Sequence, residues 1–230
     1  MNRPRWRRIA SHPLTHLLAA LVVIALLQTF VVKLYQVPSG SMEQTLRPGD
    51  RILANRLAYV AAEPHVGDVV VFARPDGWDA TPREDPGILR SIVGFFGDLV
   101  GFGPSNESTL VKRIVAVAGQ TVQCCDAEGR IERDGDPVDE PYLGSDLAFD
   151  PGVLDCASTP ASSRCFAPIT VPDGSYLVLG DNRAASSDSL SACRGGGDPT
   201  TCARFVPRSD IVGQVFQVLW PLSRWGQTLD

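Results

Sequence analysis

Lysine is nearly absent from this 230-residue chain: of 21 Lys and Arg residues only Lys33 and Lys112 are lysine. Histidine is scarce as well, with three residues, His12, His16 and His65. The first two stand at the start of a long apolar run, so His65, in the turn-like "AEPHVGD", is the one histidine in the rest of the chain. A histidine base needs a nucleophile and an orienting group beside it, and no serine or cysteine lies near His65 in sequence. A His-based triad is therefore not expected. None of the six cysteines shows C-x-x-C spacing, which argues against paired zinc-binding cysteines, and no metal is expected. No acidic residue precedes Glu43, whereas from Gln36 onward 16 basic residues face 26 acidic ones. An acidic body without a basic patch argues against nucleic acid as a partner. The acidic residues themselves have no spacing that singles out a catalytic pair.

What is present at the N-terminus is a cluster of Arg3, Arg5, Arg7 and Arg8, then a run from Pro13 to Val37 whose polar interruptions are Thr15, His16, Gln28, Thr29, Lys33 and Gln36. About 20 apolar residues at ~1.5 Å rise span the ~30 Å hydrocarbon core of a bilayer. A cleaved secretory signal also begins with positive charge, but its apolar part is usually ~7–15 residues and ends at an A-x-A-like site, which is lacking here. The expectation is a single transmembrane anchor over 13–36, with 1–12 as a basic cytoplasmic tail and everything beyond it outside the cell membrane. Lys33 and Tyr35 suit an interfacial belt. All six cysteines follow the anchor and are even in number, as disulfides in an oxidising compartment would be. Cys193 and Cys202 flank a Gly-rich loop and are expected to pair. Cys156 and Cys165 flank a Ser/Pro-rich one that also reads as a locally stapled excursion, and the sequence leaves the pairing of Cys124, Cys125, Cys156 and Cys165 open.

The exported part reads as strands. "GDVVVFA" (67–73), "LVKRIVAVAG" (110–119), "SYLVLGD" (175–181) and "DIVGQVFQVLW" (210–220) are short, β-branched and bounded by Gly, Pro or Asp. "TVQCCDAEGRIERDG" reads as a hairpin turning at 126–129. Helical periodicity is confined to 88–100, where Ile88, Ile92, Phe95, Phe96 and Leu99 would share a face, weakened by Gly94 and Gly97. That face could pack on the β core or dip into the bilayer. The stretches 74–108 and 134–172 are loop-like in composition and read as insertions.

"VPSGSMEQTL" (37–46) has the small residues of a flexible linker, and equally those of a tight turn presenting a nucleophile. Lys112 bears on the choice. It stands mid-strand, where a period of two makes Leu110, Ile114 and Ala116 its face-mates. Arginine cannot lose its proton in a protein, but a lysine in apolar surroundings can, its pKa falling from ~10.4 toward neutrality. A fall of ~3 units costs about 4 kcal/mol, at 1.36 kcal/mol per unit, which makes little sense for a structural residue. The alternative is a lysine snorkelling out at a strand edge. A serine with a lysine base is a known form of nucleophilic catalysis.

The four blocks "VPSGSMEQTL", "VGDVVVF", "VKRIVAVAGQTV" and "GDNRAASSDS", in that order after one anchor and followed by "FVPRSDIVGQVFQVLWP", resemble the type I signal peptidases, membrane-anchored Ser-Lys proteases of the bacterial leader peptidase kind. The resemblance implies Ser41 as nucleophile, Lys112 as general base, Ser39 as the hydroxyl that joins the Ser41 amide in an oxyanion hole, and Ser186 as the residue that orients the lysine. It implies supporting roles for Gly180, Asp181, Asp188 and Arg113, and small-residue pockets lined by Val37, Pro38, Met42, Leu46, Leu110 and Val111. It implies no cofactor. Its partners would be signal-peptide-bearing preproteins and the lipid bilayer. The chain departs from the family at Ala184 and Ala185, where an acidic or amide residue is usual, and at Leu190, where an arginine partner for Asp188 is usual. Arg183, Arg194 and Arg204 are the candidates to replace it.

The expected architecture is thus an all-β catalytic domain (37–120 and 170–230, with 74–108 as a loop insertion) carrying an inserted β subdomain (121–169) after one N-terminal transmembrane helix. Two rivals are a non-catalytic anchored β module that binds exported chains and a self-cleaving Ser-Lys repressor. The exported topology and acidic body argue against the second.

Overall fold

A computed structural model describes residues 12–75, 78, 109–198, 200–227 and 229. The expected helix over 88–100, and most of the 74–108 insertion, lie outside the described residues. The chain opens with helix α1 (Pro13–Phe30), capped at its start by the His12 side chain, which accepts from the Leu14 amide. It is long and apolar enough to cross a membrane, and none of its residues is buried in the protein. Apolar side chains all round a helix with no protein against them are those of a membrane span or an unpaired surface.

The helix ends at Phe30 and not at Gln36. Val32–Gln36 is strand β1, paired antiparallel with β2 (Arg51–Asn55) from Val32 opposite Asn55 to Gln36 opposite Arg51. This corrects the expected anchor boundary. Hydropathy runs on past Phe30, but the β-branched pair Val31–Val32 and the half-apolar "VKLYQ" suit an edge strand better than a helix end.

The remaining strands are β3 (Val69–Ala73), β4 (Thr109–Val117), β5 (Thr121–Cys124), β6 (Ile131–Arg133), β7 (Asp136–Pro137), β8 (Phe166–Thr170), β9 (Ser175–Leu179), β10 (Val206–Pro207) and β11 (Ile211–Trp220). They form a seven-stranded sheet in the order β1-β2-β11-β3-β4-β9-β10 and a four-stranded sheet in the order β7-β6-β5-β8. The described residues are mostly β, as the sequence implies. The 126–129 hairpin turn also forms, with Cys124 opposite Ile131 and the Asp126 amide bonded to the Arg130 carbonyl. Register shifts in β11 against both neighbours, and between Ile114 and Ala116 in β4, bend the large sheet as bulges do.

Three apolar clusters hold these layers. One packs Val37, Met42, Leu46, Ile52, Val69, Val71, Val215 and Val218. A second packs Val70, Phe72, Trp78, Ile114, Tyr176 and Val178, with Leu110 against it. The third joins the two sheets through Val115, Ala116, Val122, Phe166, Ile169, Leu177, Leu179, Leu190, Cys193 and Cys202. The bulge after Ile114 sends Ala116 into this third cluster, so the expected row Leu110–Ile114–Ala116 is broken at its last member.

All six cysteines are paired. Cys193–Cys202 and Cys156–Cys165 each close a loop, the first as expected. Cys124 bonds to its neighbour Cys125, which settles a pairing that the sequence leaves open.

Candidate active site

Ser41 lies in a one-turn 3-10 segment, Gly40–Met42, that follows the extended Ser39. The turn is closed by the Glu43 amide on the Gly40 carbonyl (3.0 Å) and the Leu46 amide on the Met42 carbonyl (2.7 Å). Met42 and Leu46 are essentially fully buried in the cluster beneath it, which fixes the turn to the sheet. Asn182 ties it from the other side: its backbone amide donates to the Ser41 carbonyl (3.1 Å) and its Nδ2 to the Gly40 carbonyl (3.0 Å). A linker would have none of this.

Lys112 sits on β4, buried between β3, where Val70 is its partner, and β9. Its Nζ lies 2.6 Å from Ser41 Oγ and donates to the Val111 carbonyl at 3.1 Å. Only 3 % of the residue is exposed, so the snorkelling alternative does not apply. Burial drives its pKa down to about 8, against the opposing pull of the Asp188 and Asp181 carboxylates. A fraction of the amine is then neutral near pH 7, and the neutral amine can accept the Ser41 proton. Ser39 is exposed and its hydroxyl donates to Ser41 Oγ at 3.5 Å.

Gly180, at the end of β9, has no room for a side chain. An added Cβ would overlap the Ser186 hydroxyl and the Ser41 carbonyl, so only glycine lets both approach. Ser186 is thereby brought against the Ser41 turn and is buried, but its Oγ has no hydrogen-bond partner among the described residues. The expected bond from Ser186 to Lys112 is not formed.

The two carboxylates beside Lys112 are each paired. Asp181 receives Arg113 through both oxygens (Nε to Oδ1 3.0 Å, Nη2 to Oδ2 2.8 Å) and the Thr45 hydroxyl at 2.5 Å. Arg113 also donates to the Gly67 and Leu229 carbonyls and stacks 3.8 Å over the Tyr142 ring. Asp188 accepts from the Gly180 amide (3.3 Å), the Leu190 amide (3.2 Å) and Arg194 Nη2 (3.1 Å). Of the three candidate arginines, Arg194 is therefore the partner. Arg183 pairs with Glu140, and Arg204 donates to the Trp78 carbonyl at 2.6 Å. Leu190 is wholly buried in the third cluster, where a charged group would have no place.

Of the expected pocket residues, Val37, Met42, Leu46 and Val111 meet in one cluster beside the Ser41 turn, and Pro38 is exposed above it. Leu110 packs in the opposite cluster, as alternation along β4 requires. Sequence reasoning overlooked Thr45, Glu140, Tyr142 and Asn182. Asn182 and Thr45 were within reach, since they stand in the "GDNR" and "VPSGSMEQTL" blocks, whereas Glu140 and Tyr142 join the site only through the fold.

A serine hydroxyl in contact with a desolvated lysine, on a β frame without a histidine nearby, defines a class of hydrolytic site. The comparisons narrow it. The family model described as signal peptidase, peptidase S26, matches residues 10–220. A probable signal peptidase I of Mycobacterium leprae is 39% identical over 90% of this chain and 77% of its own. A signal peptidase I of Mycobacterium tuberculosis is 37% identical over 90% and 71%, and a probable signal peptidase I-1 of Synechocystis is 32% identical over 92% and 83%. The chain belongs to the signal peptidase family, peptidase S26, and is a serine endopeptidase of that family.

Proposed function

We propose that the protein removes signal peptides from exported preproteins through an acyl-enzyme on Ser41, with Lys112 as the only base. The observation that carries this reading is the 2.6 Å contact between Lys112 Nζ and Ser41 Oγ in a buried setting. Neutral Lys112 takes the Ser41 proton as Oγ attacks the scissile carbonyl. The Ser41 amide and the Ser39 hydroxyl receive the negative charge that develops on the carbonyl oxygen. The Lys112 ammonium then protonates the leaving amine, which departs as the new N-terminus of the mature protein. A water, deprotonated by the same lysine, attacks the ester, and Ser41 recovers its proton as the signal peptide is freed. No cofactor enters any step.

The precursor lies extended beside Val37, Pro38, Met42, Leu46 and Val111, without Leu110, which packs in the opposite cluster, so that main-chain bonds supply affinity and small pockets supply selectivity. Residues 37–120 and 170–230, joined by strand β1 (Val32–Gln36), are the catalytic unit, and 121–169 is its insert. Helix α1 spans the bilayer with the arginine-rich end in the cytoplasm and the catalytic unit outside, where signal peptides end. The test is incubation of the detergent-solubilised protein with an exported precursor, followed by N-terminal analysis of the product. Cleavage after small residues is expected, and Ser41→Ala should abolish it. Unchanged cleavage by the folded Ser41→Ala variant would overturn the reading.

A further inference from the structure

The loop closed by Cys193–Cys202 carries Arg194, a group that the chemistry above does not use. Both half-cystines are buried in the cluster that also holds Leu179, Leu190 and Val115, so the loop is rooted in the same core as β4 and β9. Its backbone is tied by the amides of Cys193 and Arg194 on the Leu190 carbonyl (2.9 and 3.2 Å) and by Cys202 on the Asp198 carbonyl (2.8 Å). Arg194 is the residue next to the buried Cys193, and from there Nη2 reaches Asp188 at 3.1 Å while Nη1 donates to the Arg183 carbonyl at 3.1 Å. We infer that Arg194, held by the disulfide-closed loop, is a positioning residue for Lys112: it neutralises the buried Asp188 carboxylate beside the lysine and keeps it turned to the Gly180 amide. This inference rests on Lys112 being the base.

The charges around the site leave this task to Arg194. Lys112 meets the Ser41 hydroxyl and the Val111 carbonyl directly, and two carboxylates act on it from nearby, Asp181 and Asp188. Asp181 has its own guanidinium in Arg113. Asp188 is wholly buried and has two backbone amides and Arg194; the neighbouring Arg183 is committed to Glu140. An uncompensated carboxylate would favour the ammonium form of Lys112 and so take the base out of use. The guanidinium prevents that.

The experiment is the pH profile of kcat/KM for precursor cleavage. In the native protein the ascending limb should rise through about 8, as Lys112 loses its proton. Arg194→Gln should move the limb to higher pH, lowering the rate at pH 7 by a factor of about ten, the equivalent of one pH unit, and recovering toward the native rate above pH 9 or so. Arg194→Lys, which keeps the charge, should restore most of the limb's position. A merely structural arginine would lower the rate by the same factor at every pH. The paired change Cys193→Ser and Cys202→Ser should shift the limb in the same direction by less; if that variant does not fold, Arg194→Gln decides alone. A native limb in folded Arg194→Gln overturns the inference. Should Lys112→Arg be inactive and that limb unmoved, only Arg194 loses its role; should Lys112→Arg stay active, the base assignment itself falls.

Discussion

Two carboxylates flank Lys112, and the chain holds them in different ways. Asp181 stands one residue beyond β9, after Gly180, and grips Arg113, the residue after the lysine on β4, so both partners of that pair are placed by the large sheet. Asp188 stands beyond a single 3-10 turn, on a loop, and its partner Arg194 comes from a second loop that a disulfide closes. On the strand side the pair is 3 % and 1 % exposed and bidentate; on the loop side the arginine is 12 % exposed and makes one contact with its carboxylate. A sheet places ion-pair partners through register, which leaves little freedom. A loop must be fixed by something else, and here a cross-link between buried sulfurs does it. In the proposed mechanism the strand side carries the reaction and the fold together, whereas the loop side would adjust the reaction while the sheet stays intact.

The largest expected effect tests the strand side at its centre. Lys112→Arg keeps the positive charge and the long stem but supplies no base, because a guanidinium does not lose its proton. Cleavage should fall by at least about 10⁴-fold in a folded protein, as when a member of a catalytic triad is removed. Near-native turnover in a precursor assay would remove lysine from the mechanism.

Next comes the comparison itself. Asp181→Asn leaves Arg113 charged and buried, and breaking such a pair costs about 3–5 kcal/mol. Asp188→Asn leaves Arg194 uncompensated as well, but that side chain reaches solvent and should be less destabilising, by about 1–3 kcal/mol. Chemical unfolding of both variants measures this, and equal losses would break the contrast between the two sides. Ser39→Ala should follow, lowering kcat by ~10²–10³ with little change in KM, the usual result of losing one oxyanion donor. An unchanged kcat would take the Ser39 hydroxyl out of the oxyanion hole.

Stability should show the strain in the base. A lysine whose folded pKa lies below its unfolded one opposes folding. The cost is fully present below about 8 and is relieved as pH rises toward the unfolded value of ~10.4. Lys112→Met removes it, so the inactive variant should be more stable than the native protein at pH 6–7, by up to about 3 kcal/mol, with the advantage fading above pH 9 or so. Unfolding midpoints that stay parallel across that range would mean the amine is not held against its charge.

The same contrast separates what the sequence discloses from what it withholds. The strands bearing Lys112 and leading to Asp181 are legible because interior strands, buried on both faces, read as β-branched runs such as "VVVFA" and "SYLVL". Ser41 is legible through the "PSGSM" turn. The edge strand β1 is hidden because its hydropathy continues that of α1, and β2, "RILAN", as long as β3 and β9, offers only three apolar residues between Arg51 and Asn55. Arg194 could be narrowed only to one of three arginines, since which guanidinium reaches a buried carboxylate depends on where two loops meet. The Cys124–Cys125 bond is left open by the sequence because a bond between neighbours closes no loop and so leaves no flanking pattern to read.

Ser186 gives the smallest expected effect and the finest test. Its hydroxyl is buried beside Gly180 without a hydrogen-bond partner among the described residues, so no contact to Lys112 is broken by removing it. A buried hydroxyl without a partner carries a desolvation penalty, and deleting it relieves that penalty. Ser186→Ala should accordingly be as stable as the native protein or slightly more so, and its kcat should fall by less than about tenfold, under 1.4 kcal/mol. The ascending limb of its pH profile should stay where it is, in contrast to Arg194→Gln, because a neutral hydroxyl leaves the charges around Lys112 unchanged. A hundredfold loss would show instead that Ser186 turns to the lysine once substrate is bound. The loop side would then hold the base in place as well as tune it, and the contrast between the two sides would have to be redrawn.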